Sequence, residues 1–222
     1  GIRLPPRRQW LLVAVWGVGW FCIYNLALNT AERTLDAGTA AMVVNLAPLM
    51  VVVFSGLFLR EGFPKPLLIG APIAFFGVVL IGVNSSSEAG LDIAGLLLAL
   101  LAAVMYAGCT LLQKHLLSSG SDATTLTWLG AVAGTVALLP WTGSLIGELQ
   151  AAPVEATLWV VYLGIFPTAV AFTTWAYVLQ RSTAGQTSAT TYVVPALAIL
   201  MSWIILGEVP TPMMFLGGAL CL

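Results

Sequence analysis

Seven long apolar stretches, separated by short polar connectors, are the feature that most constrains what this chain can fold into. A helix needs about 20 mainly apolar residues to cross the hydrocarbon core of a membrane. The stretches of this kind are 9–29, 37–59, 66–83, 91–117, 123–140, 156–179 and 186–206, and an eighth, shorter one runs from Pro210 to Leu222. The sequence therefore predicts an all-α, polytopic membrane helix bundle with eight visible segments.

The composition agrees with lipid as the main solvent of the chain. Only 8% of the residues are charged and 59% are hydrophobic, whereas a soluble domain has roughly 25% charged residues. Eight basic and nine acidic side chains cannot cover the surface of a soluble protein of 222 residues. The net charge is −1 and like charges do not form runs, so the composition indicates no nucleic-acid partner.

The connectors are short, which makes consecutive helices antiparallel and leaves no room for a soluble domain. When the connectors are assigned alternately to the two sides, Arg33 stands alone on one side. The other side receives the remaining basic residues, which are Arg3, Arg7, Arg8, Arg60, Lys65, Lys114 and Arg181. Because connectors rich in Lys and Arg stay in the cytoplasm, we expect a multi-pass protein of the cytoplasmic membrane whose first residues are cytoplasmic.

The chain resembles itself when it is shifted by 147 residues without a gap. The pairs that the shift superposes are Gly17 and Gly164, Gly38 and Gly185, Pro48 and Pro195, Glu61 and Glu208, and Gly70 and Gly217. An odd number of helices separates the copies, so the second copy crosses the membrane in the opposite direction, as in transporters built from inverted repeats. We divide the chain into a first, partial repeat of three helices at 1–83 and a second repeat of five helices at 91–222.

The same register assigns the helices at 91–117 and 123–140 to partners that would precede Gly1. The sequence therefore predicts a complete bundle of ten helices, of which two are absent from this chain. Two halves of opposite orientation can exchange conformations about a central site, opening it to each side of the membrane in turn. That property favours a carrier.

These motifs resemble those of EamA-type transporters in the drug/metabolite transporter superfamily. The stretches that carry the resemblance are Ala37-Gly38-Thr39-Ala40-Ala41, Leu46-Ala47-Pro48-Leu49, Leu59-Arg60-Glu61-Gly62, Gly70 and Gly77, followed by Ala184-Gly185, Val194-Pro195-Ala196 and Leu206-Gly207-Glu208-Val209. The resemblance covers nearly the whole chain. It implies ten helices in two repeats, cytoplasmic termini, and export or uptake of amino acids, metabolites or drug-like compounds through a central cavity. The chain departs from the family's pattern at its ends.

Two prolines within predicted helices mark the candidate substrate site. Pro48 and Pro195 each remove a backbone donor and free the carbonyl four residues earlier, and such carbonyls need protein or cavity water as partners in a bilayer. Asn45 and Tyr192 stand three residues before these prolines, on the same helical face. We interpret the four residues as helix breaks and binding groups that flank a substrate cavity. The alternative is that the kinks only shape packing and that Asn45 bonds to a neighbouring helix.

Further polar and aromatic side chains on the predicted helices are candidates for substrate contact. Spacings of three or four residues place several of them on one helical face. They are Trp20, Tyr24 and Asn25 in the first helix, Tyr106 and Gln113 in the fourth, Thr174 and Trp175 in the sixth, and Ser188 in the seventh. Interfacial aromatic belts and interhelical hydrogen bonds explain the same residues without a ligand.

No ionisable residue lies in the middle of any predicted segment. Such a residue is the usual mark of proton or ion coupling in a transporter. Glu61 and Glu208 stand at helix ends, where a carboxylate can accept from the first amides of a following helix. We assign them to a structural motif together with the superposed glycines Gly38 and Gly185. We therefore expect a neutral, zwitterionic or amphiphilic substrate that moves by facilitated diffusion or weakly coupled exchange.

A carrier by alternating access is the function that these features favour, with a small organic molecule and the lipid bilayer as its partners. A channel-like pore for small solutes is the alternative, because hydroxyls and carbonyls can line a pore. An intramembrane enzyme is less favoured, because the single histidine, His115, stands at a helix end and no paired carboxylates lie within the segments. We predict no catalytic residue, no metal and no cofactor. Glycines on several helices permit a homodimer as well as packing within the chain.

Overall fold

In the computed structural model, the residues described are 4–35, 37–85, 92–207 and 209–222. Within those ranges every regular element is a helix, and no strand occurs. The helices are α1 (Arg7–Ala31), α2 (Gly38–Phe58), α3 (Lys65–Val83), α4 (Ile93–Ser118), α5 (Ala123–Ala151), α6 (Val154–Arg181), α7 (Ala184–Ile205) and the shorter α8 (Pro212–Cys221). Of these described helices, α1 to α7 are long and apolar enough to cross a membrane, which confirms the predicted membrane bundle.

Helix α5 is longer than the sequence predicts. The prediction ends at Pro140, whereas the chain continues through a 3-10 turn, Leu139–Trp141, into a further helical segment, Thr142–Ala151. A proline is tolerated in the first turn of a helix, where its missing N–H has no partner to lose. The Thr142 hydroxyl also donates to the Leu139 carbonyl at 2.6 Å. The predicted end at Pro140 is therefore wrong.

Helix α2 is interrupted just before its proline. It consists of the segments Ala37–Val44 and Leu46–Phe58, which meet at Asn45. Pro48 has no N–H with which to donate to the Val44 carbonyl four residues earlier. The Asn45 amide nitrogen donates to a different carbonyl, that of Ala41, at 2.8 Å, which also accepts from the Asn45 backbone N–H at 2.9 Å.

Helix α7 is interrupted at the equivalent place in the 147-residue register. The interruption is a 3-10 turn at Thr190–Tyr192, which stands immediately before the segment that contains Pro195. The Thr190 and Thr191 hydroxyls donate to backbone carbonyls three residues earlier, each at 2.6 Å. Pro48 and Pro195 therefore each lie three residues beyond the end of a helix break.

Helices α1 and α6 each contain a wider, π-type turn, a feature that is often found at functional sites. The turns are Gly19–Tyr24 in α1 and Gly164–Val170 in α6. Pro167 lies inside the second, where the Thr168 hydroxyl donates to the Leu163 carbonyl at 2.9 Å. In the 147-residue register the second turn corresponds to 17–23, so the two wide turns overlap in the alignment of the chain with itself.

The chain forms two compact units that interleave along the sequence. The first unit contains the chain up to Ile23 together with Leu112–Ser182, and the second contains Tyr24–Leu111 together with Thr183–Leu222. Each unit takes helices from both of the predicted repeats. The division into repeats at 1–83 and 91–222 describes the sequence and stays a prediction.

The first unit is held together by close helix packing and by polar contacts at helix ends. A Cβ atom built at Gly17 of α1 would lie 2.5 Å from the Gly130 carbonyl oxygen of α5, so only glycine fits there. The Lys114 ammonium donates to the Leu179 and Ser182 carbonyls at 2.9 and 2.6 Å. These contacts satisfy backbone carbonyls at the end of α6 that the helix itself leaves unpaired.

The second unit is centred on the contact between α3 and α8. A Cβ atom at Gly77 would lie 2.5 Å from the Gly217 carbonyl oxygen, and one at Gly217 would lie 2.6 Å from the Gly77 carbonyl oxygen. The Cys221 thiol donates to the Ala74 carbonyl at 3.5 Å. Glycines facing each other let two helix backbones approach closely, which is how helices associate within lipid.

Candidate functional site

The second unit contains a cavity of about 650 Å³. Its wall is formed by α2, α3, α7 and α8, by Tyr106 of α4, and by Val209 and Pro210 in the connector before α8. A cavity of this size is in the range of sites that hold small organic molecules. All of these residues belong to the same compact unit, so the cavity is a property of that unit alone.

The described residues that line the cavity include polar side chains. None of the described residues that line it is acidic, basic or a histidine, and the polar side chains among them are Asn45, Tyr106, Thr191 and Ser202. Tyr106 is hydrogen-bonded to the Thr191 side chain, and Thr191 donates in turn to the Ser188 carbonyl at 2.6 Å. The described lining residues can therefore offer hydrogen bonds to a ligand.

The lining residues follow helical periodicity. In α7 the lining residues Pro195, Ala198, Ile199 and Ser202 stand three, four and seven positions apart, which is one face of a helix. The sequence predicts Pro195 as a residue of the site, whereas Ser202 is not among the predicted residues. Ser202 could have been predicted, because it lies two turns beyond the proline and is the partner of Ser55 in the 147-residue register.

Five of the residues that the sequence predicts for the site or its motif line this cavity together. They are Gly38, Asn45 and Pro48 of α2, Tyr106 of α4, and Pro195 of α7. Tyr24 lies next to them, because its ring contacts the Tyr106 ring edge-on with the centroids 6.2 Å apart. Asn25, which follows Tyr24 in the chain, is half-buried.

Tyr192 and Ser188 are buried and are not among the residues that line the cavity. Tyr192 is 1% exposed and packs with Val52, Ala71 and Val78. Its hydroxyl donates to the main-chain carbonyl of Asn45 at 2.9 Å. Ser188 is fully buried. In this structure Tyr192 supports the wall through Asn45, and its predicted contact with substrate stays a prediction.

Four predicted site residues belong to the first compact unit. Trp20 is buried and meets the Phe172 ring edge-on at 5.7 Å. The Thr174 hydroxyl donates to the Val170 carbonyl at 2.9 Å, within its own helix. Trp175 is half-buried, and Gln113 is 1% exposed. Their predicted role in substrate binding likewise stays a prediction.

The motif residues Glu61 and Gly185 both lie at the start of α7. The Glu61 carboxylate accepts a hydrogen bond from the Ala184 backbone N–H at 2.8 Å. Gly185 follows at once and packs against α2, since a Cβ atom built there would lie 3.3 Å from the Ser55 hydroxyl oxygen. A carboxylate at a helix N-terminus satisfies an unpaired amide and interacts favourably with the helix dipole. Glu208, the counterpart of Glu61, lies outside the described residues.

Metal-binding residues are not grouped in the described ranges, where no cluster of three or more His, Cys, Asp or Glu side chains occurs. The cysteines Cys22, Cys109 and Cys221 are free thiols and are buried.

A family model described as the EamA-like transporter family matches residues 1–83 and 93–222. A crystal structure of another protein superposes on the chain with a TM-score of 0.77 at 21% identity, covering 97% of this chain and 74% of the other. That superposition shows a shared fold.

Relatives of the chain carry transporter names. A "Probable terminal-alkyne amino-acid exporter" of Streptantibioticus cattleyicolor is 32% identical, over 99% of this chain and 73% of the exporter. The "Uncharacterized transporter YdfC" of Bacillus subtilis is 32% identical, over 98% of this chain and 70% of that protein. The "Uncharacterized inner membrane transporter YedA" of Escherichia coli is 28% identical, over 94% and 67%. The chain therefore belongs to the EamA-like transporter family and is a multi-pass membrane transporter, not an enzyme.

Proposed function

We propose that the chain is a carrier that moves small organic molecules without net charge, among them zwitterionic amino acids with apolar side chains, by alternating access. The observation that supports it is the cavity of about 650 Å³, which lies beside the helix breaks of α2 and α7 and whose described lining residues carry no charge. An apolar wall with a few fixed hydrogen-bonding groups is typical of sites for small organic ligands.

Amino acids with apolar side chains fit this lining for two reasons. A zwitterion has no net charge, so its two ionised groups can be met by dipoles, hydroxyls and the Asn45 amide without a buried counter-ion. The apolar part of such a substrate would face the aliphatic wall. The name of the Streptantibioticus cattleyicolor relative, an amino-acid exporter with an apolar alkyne group in its substrate, supports the same class.

The proposal includes an orientation of the cavity in the membrane, which rests on the positive-inside rule. Gly38 begins α2, and Val209 and Pro210 precede α8. The connectors at these ends are the ones that the distribution of Lys and Arg assigns to the outside. We place the open side of the cavity at the outer surface, with the Glu61 contact on the cytoplasmic side. The homodimer that the sequence permits stays a prediction.

Flux measurements in proteoliposomes test the proposal. The protein is reconstituted and the uptake of radiolabelled leucine, a nucleoside and a cationic amphiphile is measured. We expect saturable leucine uptake that accelerates when unlabelled leucine is present on the far side, because a carrier returns faster when it is loaded. Flux that stays linear with concentration and shows no such acceleration would favour the channel-like pore.

A further inference from the structure

The start of α7 is packed tightly against α2 and α3. A Cβ atom built at Gly185 would lie 2.9 Å from Leu67 Cδ2, 3.3 Å from Ser55 Oγ and 3.5 Å from Val52 Cα. Val52 and Ser55 are only 4% and 2% exposed. The second unit is therefore closed at this side, because Gly185 lets the backbone of α7 approach the backbone of α2.

The same four positions in the other repeat are found in the opposite arrangement. The 147-residue register pairs Gly185 with Gly38, Val52 with Ile199, Ser55 with Ser202 and Leu67 with Met214. All four partners, Gly38, Ile199, Ser202 and Met214, line the open cavity. The residues around Gly185 are therefore packed together, whereas their partners in the register line the cavity.

The residue types at these positions suit the same packing on both sides. Each set contains one glycine, one serine, one β-branched aliphatic residue and one flexible aliphatic residue. Volume-conserving exchanges such as Leu for Met keep a packed contact intact. The start of α2, which carries Gly38, can thus pack against Ile199, Ser202 and Met214. The start of α7, which carries Gly185, already packs against the equivalent residues.

Two contacts mark an axis about which such an exchange can occur. The Tyr192 hydroxyl donates to the Asn45 carbonyl at 2.9 Å, and the Cys221 thiol donates to the Ala74 carbonyl at 3.5 Å. Both pairs are separated by 147 residues, so in each of them a residue meets its own repeat counterpart. Equivalent residues of a two-fold arrangement touch only near its axis, where an exchange of the two halves moves them least.

We propose that the cavity closes when Gly38 packs against Ile199, Ser202 and Met214, while the contact of Gly185 with Val52, Ser55 and Leu67 opens. The two contact sets are the alternating gates of the carrier, and only one is formed at a time. The proposal rests on the proposed function, because a carrier moves between two states and each contact set closes one side in one of them.

Two engineered cysteine pairs test the gates in a background in which Cys22 and Cys109 are replaced by alanine and Cys221 is replaced by serine, which keeps a donor opposite the Ala74 carbonyl. The first pair is Ser55→Cys with Gly185→Cys, and the second is Gly38→Cys with Ser202→Cys. The control pair, Val53→Cys with Leu200→Cys, occupies equivalent positions in the repeats that are 44% and 45% exposed. Mercuric ion serves as the short bridging reagent, and bridging is read from the mass of the intact protein.

We expect both gate pairs to bridge and the control pair to remain unbridged. Bridging should lower leucine transport at least tenfold in each gate pair, and a thiol reductant should restore it. In a chain that carries both gate pairs, bridging of one should lower the bridging rate of the other at least tenfold. Failure of the second pair to bridge in a chain that transports leucine, or simultaneous bridging of both pairs, overturns the inference.

A second set of variants guards against a loss of folding in the cysteine pairs. Gly38→Leu should hold the cavity open, so that a membrane-impermeant maleimide labels Ser202→Cys at least as fast as without it, while transport falls at least tenfold. Gly185→Leu should slow the same labelling at least threefold. Equal labelling in the two leucine variants contradicts the inference. These readouts do not depend on transport, so exclusive bridging without leucine flux would count against the proposed function and leave the gates standing.

Discussion

The Tyr192 hydroxyl donates a hydrogen bond to the main-chain carbonyl of Asn45 at 2.9 Å, joining two residues that stand 147 positions apart. Each residue lies at the break of its own helix, three positions before a proline. The bond therefore joins the two interrupted helices at Asn45, a residue that lines the cavity.

Removal of that bond should cost stability and leave the affinity for substrate unchanged. Tyr192→Phe takes away a buried donor and leaves the Asn45 carbonyl with one partner fewer, which destabilises a protein by about 1 kcal/mol. We expect a lower thermal melting temperature in detergent with an unchanged KM for leucine. The matched control is Tyr162→Phe, since Tyr162 is 46% exposed and should melt as the parent does. A raised KM in Tyr192→Phe would instead place the hydroxyl in the binding site.

Asn45→Ala should weaken substrate binding. The Asn45 side chain is one of the few polar groups in the cavity lining, and a lost hydrogen bond of about 0.5–1.5 kcal/mol corresponds to a KM raised about twofold to tenfold. The measurement is the concentration dependence of leucine uptake. Asn29→Ala, at an exposed position near the end of α1, is the control. An unchanged KM in Asn45→Ala would show that the amide serves only its bond to Ala41.

Glu61→Gln should shift the chain away from the state in which the cavity is open. The carboxylate accepts from the Ala184 N–H at 2.8 Å, and the neutral amide loses the favourable interaction of a negative charge with the start of α7. That interaction is worth about 0.3–1 kcal/mol, so maleimide labelling of Ser202→Cys should slow by about twofold to fivefold. Glu155→Gln changes another carboxylate in the first turn of a helix and should leave the labelling rate as it was.

Gly77→Ala should destabilise the second unit. A methyl group at this position would lie 2.5 Å from the Gly217 carbonyl oxygen, and overpacking of this kind costs about 1–3 kcal/mol. We expect a lower melting temperature in detergent. Gly70→Ala is a matched control in the same helix, because nothing lies within 4 Å of its Cβ position. Equal melting of the two variants would mean that α3 and α8 do not pack closely.

Leucine transport should persist when the proton gradient is removed. The described residues of the cavity lining include no acidic side chain or histidine, and a group that titrates in the membrane is the usual means of proton coupling. Uptake down a leucine gradient is measured with and without an uncoupler. Transport that collapses while the leucine gradient remains would contradict facilitated diffusion.

The sequence by itself determined the helices, because about 20 apolar residues in lipid must pair their backbone groups within a helix. The breaks of α2 and α7 stand just before Pro48 and Pro195, and the predicted role of these prolines as hinges stays a prediction. The end of α5 was missed, because Pro140 falls in the first turn of a continuing segment, where local sequence allows either a stop or a new start.

Only the tertiary structure decided which of two equivalent residues faces the cavity. Asn45 lines it while Tyr192 is 1% exposed, and Gly38 lines it while Gly185 is packed against Ser55. Gly38 and Gly185 are the same residue type and hold the same place in the 147-residue register, so neither residue type nor periodicity predicts which of them lines the cavity. Their environments differ because Gly185 packs against α2 and α3 whereas Gly38 lines the cavity, and that difference arises only when the helices assemble.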